Sequence, residues 1–269
     1  MTAMKTALKI AYIGNDFHGS QSQPGLRTVE GDLKKGLVEH GIIGETTKIS
    51  MSGRTDAGVH ALCQVVSFEP LNPRLAEPRI INSRMPKDLW VYAKAEVPDG
   101  FDPRRDPVSR EYRYLLYAPD VIEQRIVDCA KLFPGTHDFT NFSSLEPGKN
   151  PVRTIKNIGV VKKGDFYIID IEADSFLWNM VRKIVTGLSL VGSGKRPLGW
   201  IEEMFDPAHR EGVPPAPASG LYLMKVNYEG VDFIEDEYSK SRACQRMVLS
   251  YEWHYTMAEV YREFRDAMK

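Results

Sequence analysis

Apolar and polar residues alternate from Ala7 to Ile13, placing Leu8, Ile10 and Tyr12 on one face, which predicts a first strand. Gly14 to Gly25 is rich in Gly, Ser, Gln and Asn and predicts a loop. Thr28 then precedes Val29, Leu33 and Leu37, a four-residue recurrence that predicts a capped helix. Thr47 to Met51 alternates again, and Leu62 to Phe68 is a β-branched and aromatic run, so two predicted strands flank a polar segment. Pro73 to Ser83 predicts a helix, and Leu89 to Val97 a strand. Two prolines and several charges between Phe101 and Pro107 break the pattern and mark a boundary.

The second half repeats the outline. Ser109 to Tyr117 reads as a strand with Tyr112, Tyr114 and Leu116 on one face, and Val121 to Leu132 as a helix. Thr154–Lys162 and Phe166–Ala173 read as a hairpin joined by Lys163-Gly164-Asp165. Asp174 or Ser175 is placed to cap a helix whose stripe is Leu177, Met180, Val181, Ile184, Val185 and Leu188. Gly192 and Gly194 end it, with Pro197 beyond. Leu221 to Tyr228 is a last strand. Farther on, Trp253, Met257, Val260, Phe264 and Met268 form a helical stripe among charges, predicting a helix packed on the body in preference to a partner-binding helix. Strands mixed with helices, one hairpin included, argue for an α+β fold with a largely antiparallel sheet. The expected division is 1–104, 105–230 and a mainly helical extension over 231–269.

Composition narrows the function classes. Of 269 residues, 42% are hydrophobic, which permits a packed core, and 35 Lys+Arg against 36 Asp+Glu leave a net charge of −1. A nucleic-acid site would then be a local basic patch rather than a global field. Candidate groups are Arg104, Arg105, Arg110 and Arg113, then Lys149, Arg153 and Lys156, then Arg182, Lys183, Lys195 and Arg196. Three distant cysteines without a CxxC pair predict free thiols, not a zinc site or a disulfide framework. The six histidines lack ligand spacing, so no metal is expected. Gly14 and Gly19 have P-loop spacing, but Ser20-Gln21 follows them and excludes a phosphate cradle. Met1 to Lys5 leads into strand pattern without a signal-peptide core, and no apolar run reaches membrane-spanning length. A cytoplasmic protein without membrane contact is the expectation.

The polar segment between the predicted second and third strands carries the chemistry. It reads Ser52-Gly53-Arg54-Thr55-Asp56-Ala57-Gly58-Val59-His60-Ala61. Gly53 and Gly58 permit unusual backbone angles and close approach. Small neighbours leave Asp56 open to a bulky substrate, and a nearby guanidinium favours an ionised carboxylate, fit to be nucleophile or base. Spacing by itself suits a turn-stabilising Arg/Asp pair better. The nine residues from Gly53 to Ala61, however, resemble the signature of the TruA family of tRNA pseudouridine synthases. That resemblance makes Asp56 the catalytic residue.

Two further blocks extend the resemblance. Ser109-Arg110-Glu111-Tyr112-Arg113-Tyr114 is similar to a family strand whose first tyrosine, here Tyr112, packs against the target uridine. Asp174 to Val185 is similar to a block whose arginine, here Arg182, pairs with the catalytic carboxylate. Gly220-Leu221-Tyr222-Leu223 fits the closing strand. The resemblance covers about Leu8 to Tyr228 and implies two ferredoxin-like halves sharing a sheet, with a cleft between them. It also implies uridine-to-pseudouridine isomerisation in the tRNA anticodon arm at positions 38 to 40, with no cofactor and a homodimer. Arg54 would then position RNA backbone or the loop. Gly19-Ser20-Gln21-Ser22-Gln23 departs from the family's Gly-Trp-Gln-Arg-Gln-like stretch, and Glu111 stands where a second Arg is frequent. The rivals are a non-catalytic RNA-binding protein, which would release no tritium from 5-tritiated uridine, and an Asp56 hydrolase, which would leave a cleaved bond.

Overall fold

Residues 4–269 are described by a computed structural model. Met1 to Ala3, part of the stretch read above as lacking a signal core, lie outside them. The first elements are β1 (Met4–Tyr12), α1 (Val29–Glu39), β2 (Ser50–Met51), β3 (His60–Phe68), α2 (Pro78–Asn82) and β4 (Leu89–Pro98). They are followed by β5 (Ser109–Tyr117), α3 (Glu123–Ala130), β6 (Gly135–Asp138), β7 (Val152–Lys163), β8 (Phe166–Ala173), α4 (Met180–Gly192) and α5 (Trp200–Met204). β9 (Leu221–Asn227), β10 (Ile234–Glu235) and α6 (Glu237–Ala267) complete the chain.

The strands form one mixed α+β sheet in the order β10-β4-β1-β3-β9-β5-β8-β7-β6, with β2 paired to β3. Its ladders are antiparallel except at β3 and β9, where His60 faces Tyr222 and Ala61 faces Leu223. That short parallel seam joins the early strands to the late ones. β1 is buried on both faces, as a central strand must be: Leu8, Ile10 and Tyr12 enter the main core, while Ala7 and Ala11 pack on the opposite side. Val29, Leu33 and Leu37 of α1 are buried, and the Thr28 hydroxyl accepts from Gly31 N–H. Lys163 pairs with Phe166, leaving Gly164-Asp165 as a two-residue turn with Gly164 at φ +60°.

Several expectations are corrected. The strand expected at Thr47–Met51 shrinks to Ser50–Met51. The helix expected over Pro73–Ser83 splits into a 3-10 turn at Pro73–Leu75 and α2. Pro78 is the cause: it holds the preceding Glu77 in extended backbone, so a helix must begin afresh. The helix expected from Asp174 or Ser175 begins instead at Met180. Its cap, Asn179, sits at φ +62° and makes no side-chain capping bond. The Asp174 carboxylate is engaged elsewhere, accepting from Thr154 N–H and Ser175 N–H. Finally, α6 packs on the body only at its start, burying Ser239 and Ala243. Farther along, Met257 and Val260 are half-buried but the rest of the stripe faces solvent, with Trp253 63% and Phe264 61% exposed.

Candidate active site

The loop before β3 is pinned from three directions. The Ser52 N–H donates to Val65 O (2.8 Å), and Gln64 Nε2 donates to Gly53 O (2.8 Å), so the neighbouring strand fixes where the loop leaves the sheet. Below it, Tyr12 and Thr55 share a buried hydroxyl–hydroxyl bond of 2.8 Å. From the side, the Ser20 Oγ accepts from Thr55 N–H (2.9 Å), and Ser20 N–H donates back to Thr55 O (3.0 Å). Gly58 takes φ +78°, and the turn closes with Val59 N–H on Asp56 O (3.1 Å). Gly53 needs no such freedom: its φ is not positive and nothing crowds it. The close approach falls on Gly14, where a Cβ would lie 2.0 Å from Val59 O.

This scaffold presents Asp56 with its side chain 34% exposed. Arg182 Nη1 donates to Oδ2 at 3.2 Å, and Trp178 Nε1 donates to Oδ1 at 3.0 Å. Both carboxylate oxygens therefore carry one protein donor each. Arg182 is only 16% exposed and is held at two other points, Ala216 O (2.6 Å) and Asn179 Oδ1 (3.0 Å). The first turn of α4 thus delivers the guanidinium, and the loop around Ala216 and Pro217 braces it. The Tyr114 hydroxyl donates to Pro217 O (2.9 Å), tying the same loop to β5.

Asp56 lies on the wall of a cavity of about 590 Å³ shared with Arg54, Tyr112, Trp178, Arg182 and Leu221. That is within the size range of small-molecule sites. The four residues singled out from the sequence, Asp56, Tyr112, Arg54 and Arg182, all line it. Tyr112 is buried and meets Phe176 edge-on with centroids 5.0 Å apart. Burial pushes its phenol up to about 12, so the hydroxyl stays protonated at neutral pH. Arg54 is exposed and makes no hydrogen bond or ion pair among the described residues. A second cavity, about 450 Å³, opens beside the first between Asp56 and the Gly19–Gln23 loop, and Arg54, Trp178 and Arg182 line it too.

The basic groups divide. Arg104, Arg110, Lys149 and Arg153 line the larger cavity beside Arg182. Arg113 instead pairs with Asp170 (2.6 Å) beyond the cavity, and Arg196 pairs with Glu211. A single groove lined by all of them is not what folds. Among the described residues Arg110 makes no carboxylate pair; it donates to Ser52 O (3.0 Å) and Asp174 O (3.1 Å), joining the Asp56 loop to the end of β8. His60, at the start of β3, accepts from Gly14 N–H at Nδ1 (2.8 Å) and reaches Ser219 O through Nε2 (3.1 Å). Burial lowers its pKa from the usual histidine value.

Trp178, Ser20, Tyr12 and the bracing role of Arg110 and His60 escape a reading of the sequence. Their partners are 35 to 159 residues distant, so no local spacing announces them. The one available signal is the pair Gly14 and Gly19, glycines that let one loop lie against another: a Cβ would lie 2.0 Å from Val59 O at the first and 3.0 Å from Thr55 O at the second.

Comparison with known proteins concerns the chain as a whole. A family described as tRNA pseudouridine synthase matches residues 129–229. The tRNA pseudouridine synthase A of Methanocella arvoryzae is 68% identical over 266 residues, which is 99% of this chain and 100% of that protein. The protein of the same name from Methanosarcina barkeri is 49% identical over 264 residues, 97% of this chain and 98% of that one. In a crystal structure of a Cbf5-Nop10-Gar1 complex, one chain is 12% identical with a TM-score of 0.39, covering 81% of this chain and 58% of that chain, a likeness too slight to argue from.

Proposed function

We propose that this chain, which belongs to the tRNA pseudouridine synthase A family, isomerises uridine in the anticodon arm of tRNA, at positions 38 to 40, with Asp56 as its catalytic carboxylate. Membership makes it an isomerase acting on tRNA. The finer reading rests on one observation above all: a partly exposed carboxylate, oriented by Arg182, opens into a cavity that also holds Tyr112.

The chemistry fits these groups. The bond from N1 of uracil to the ribose C1′ breaks, the ring turns, and C5 bonds to C1′. The C5 proton leaves to solvent, and N1 ends with a proton. Nothing is oxidised or lost, so the balance requires no cofactor. The base must leave its stack to be reached. Asp56 serves either as nucleophile at C1′ or as base toward a ribose proton, and both roles need the charged, reachable carboxylate described here. Tyr112 packs against the uracil. Arg54, at the mouth of both cavities, contacts RNA backbone, and Arg104, Arg110, Lys149 and Arg153 add a local cationic lining to a chain of near-zero net charge.

Segment 1–104 brings Asp56 and Arg54, 105–230 brings Tyr112 and Arg182, and 231–269 is an extension; we treat these as the functional units. The largely exposed apolar stripe of α6 supports a homodimer whose copies share one tRNA. Among the described residues no helix is long and apolar enough to cross a membrane. Cytoplasm, where tRNA is at hand, is the proposed location.

The test uses tRNA transcripts carrying 5-tritiated uridine, with positions 38, 39 and 40 replaced one at a time. Tritium release that drops as the modified positions are removed is the expected result. No release from any anticodon-arm uridine, or a product with the base cleaved off, overturns the proposal.

A further inference from the structure

The two side-chain partners of Asp56 differ in burial and in how many bonds hold them. Arg182 is mostly buried and fixed by two other acceptors, whereas Trp178 is 56% exposed and its single polar side-chain group is spent on Oδ1 (3.0 Å). Trp178 also precedes α4 rather than belonging to it, and the next residue, Asn179, holds the left-handed backbone at φ +62°. The Trp178 carbonyl is anchored by Ser144 N–H (2.9 Å), whereas its side chain is held by the one bond to Asp56. Moreover, Trp178 lines both cavities that open onto Asp56. The first holds Tyr112; the second, about 450 Å³, is lined by His18, Gln21 and Gln23 together with the apolar Leu26 and Ala57.

We propose that Trp178 is a displaceable positioning partner of Asp56. In the free protein its indole N–H holds Oδ1. When RNA enters, it releases that oxygen, and the ring stacks on the nucleotide next to the target uridine, seated in the second cavity. The inference rests on the enzymatic reading above. Two features favour it over a permanently bonded donor. A fixed donor gains from burial, yet Trp178 is 56% exposed. Two adjoining cavities also suit a single strand with one base drawn into each, and an aromatic plane between them accepts any base on its face.

The experiment compares Trp178→Ala and Trp178→Phe with the intact chain, by steady-state tritium release and by tRNA-dependent quenching of tryptophan fluorescence. The phenyl ring keeps stacking and loses the N–H. Trp178→Ala is expected to raise KM about ten- to a hundredfold, the size of one lost base–aromatic stack, with a smaller change in kcat. Trp178→Phe is expected to hold kcat near wild type with KM raised only a few-fold. Three other tryptophans remain in the Phe variant, so the quenching seen only in wild type reports the indole at 178. Its presence is expected. Equal quenching in both proteins overturns the inference. So does a Phe variant whose kcat collapses at unchanged KM, which marks a fixed orienting donor, or an Ala variant that behaves as wild type. If wild type itself releases no tritium, the enzymatic reading has failed instead, and the two failures are told apart.

Discussion

Replacing Arg182 by Ala isolates the link between α4 and the carboxylate. The guanidinium donates to Asp56 Oδ2, Asn179 Oδ1 and Ala216 O. Its loss leaves Asp56 with Trp178 alone and strands two acceptors. A charge-assisted bond in a mostly buried site contributes about 1.5–3 kcal/mol, and removing one partner leaves the other uncompensated. Asp56 is a third exposed, so water relieves part of that deficit, and a stability loss of about 2 kcal/mol is expected. Activity suffers more, because a reacting group displaced by about 1 Å can cost about a hundredfold. A lysine in its place restores charge but not a planar fork reaching three acceptors, so Arg182→Lys is expected to recover only part of the rate. Urea unfolding measures the first quantity; single-turnover tritium release at saturating enzyme measures the second. An Arg182→Ala protein that folds and retains turnover within a few-fold of wild type would refute this account of how Asp56 is held.

Gly14→Ala sets a Cβ 2.0 Å from Val59 O, so the loop carrying Asp56 must shift; overpacking of this kind costs about 1–3 kcal/mol, and urea unfolding should show it together with a fall in kcat. His60 has a folded pKa lowered by burial. Below the unfolded value of about 6.5 the unfolded chain binds the proton first, so its contribution to stability is intact above that pH and declines as pH falls toward the folded pKa. Unfolding of wild type and His60→Gln between neutral and mildly acidic pH should therefore differ in slope, and parallel curves would refute the assignment. For the proposed homodimer, a double change of Trp253 and Phe264 to Glu should leave folding intact, since both are exposed, and lower the mass seen in sedimentation to that of one chain; an unchanged mass would exclude the α6 stripe as the contact.

The elements legible in the sequence are those fixed locally. Thr28 capping α1, the Gly164-Asp165 hairpin turn and the Tyr112/Tyr114 face of β5 each follow from residues within a few positions of one another. The start of α4 is not legible because Asp174 has better partners than a helix end, in Thr154 and Ser175. The tail misleads because a periodic apolar stripe says that something covers it, not that the same chain does. At the site, the Asp56 loop is visible as a motif. Trp178 is not: its bond to Asp56 spans 122 residues, and an aromatic among Leu177, Met180 and Val181 reads as core.

The most direct test of the central claim is Asp56→Asn, which preserves shape and removes the charge. Circular dichroism and tRNA affinity should match wild type, because the loop is held by Ser20, Tyr12 and Gln64 rather than by the carboxylate. Single-turnover tritium release from 5-tritiated uridine tRNA should then be undetectable. Release at a rate near wild type would contradict the account and take catalysis away from this carboxylate.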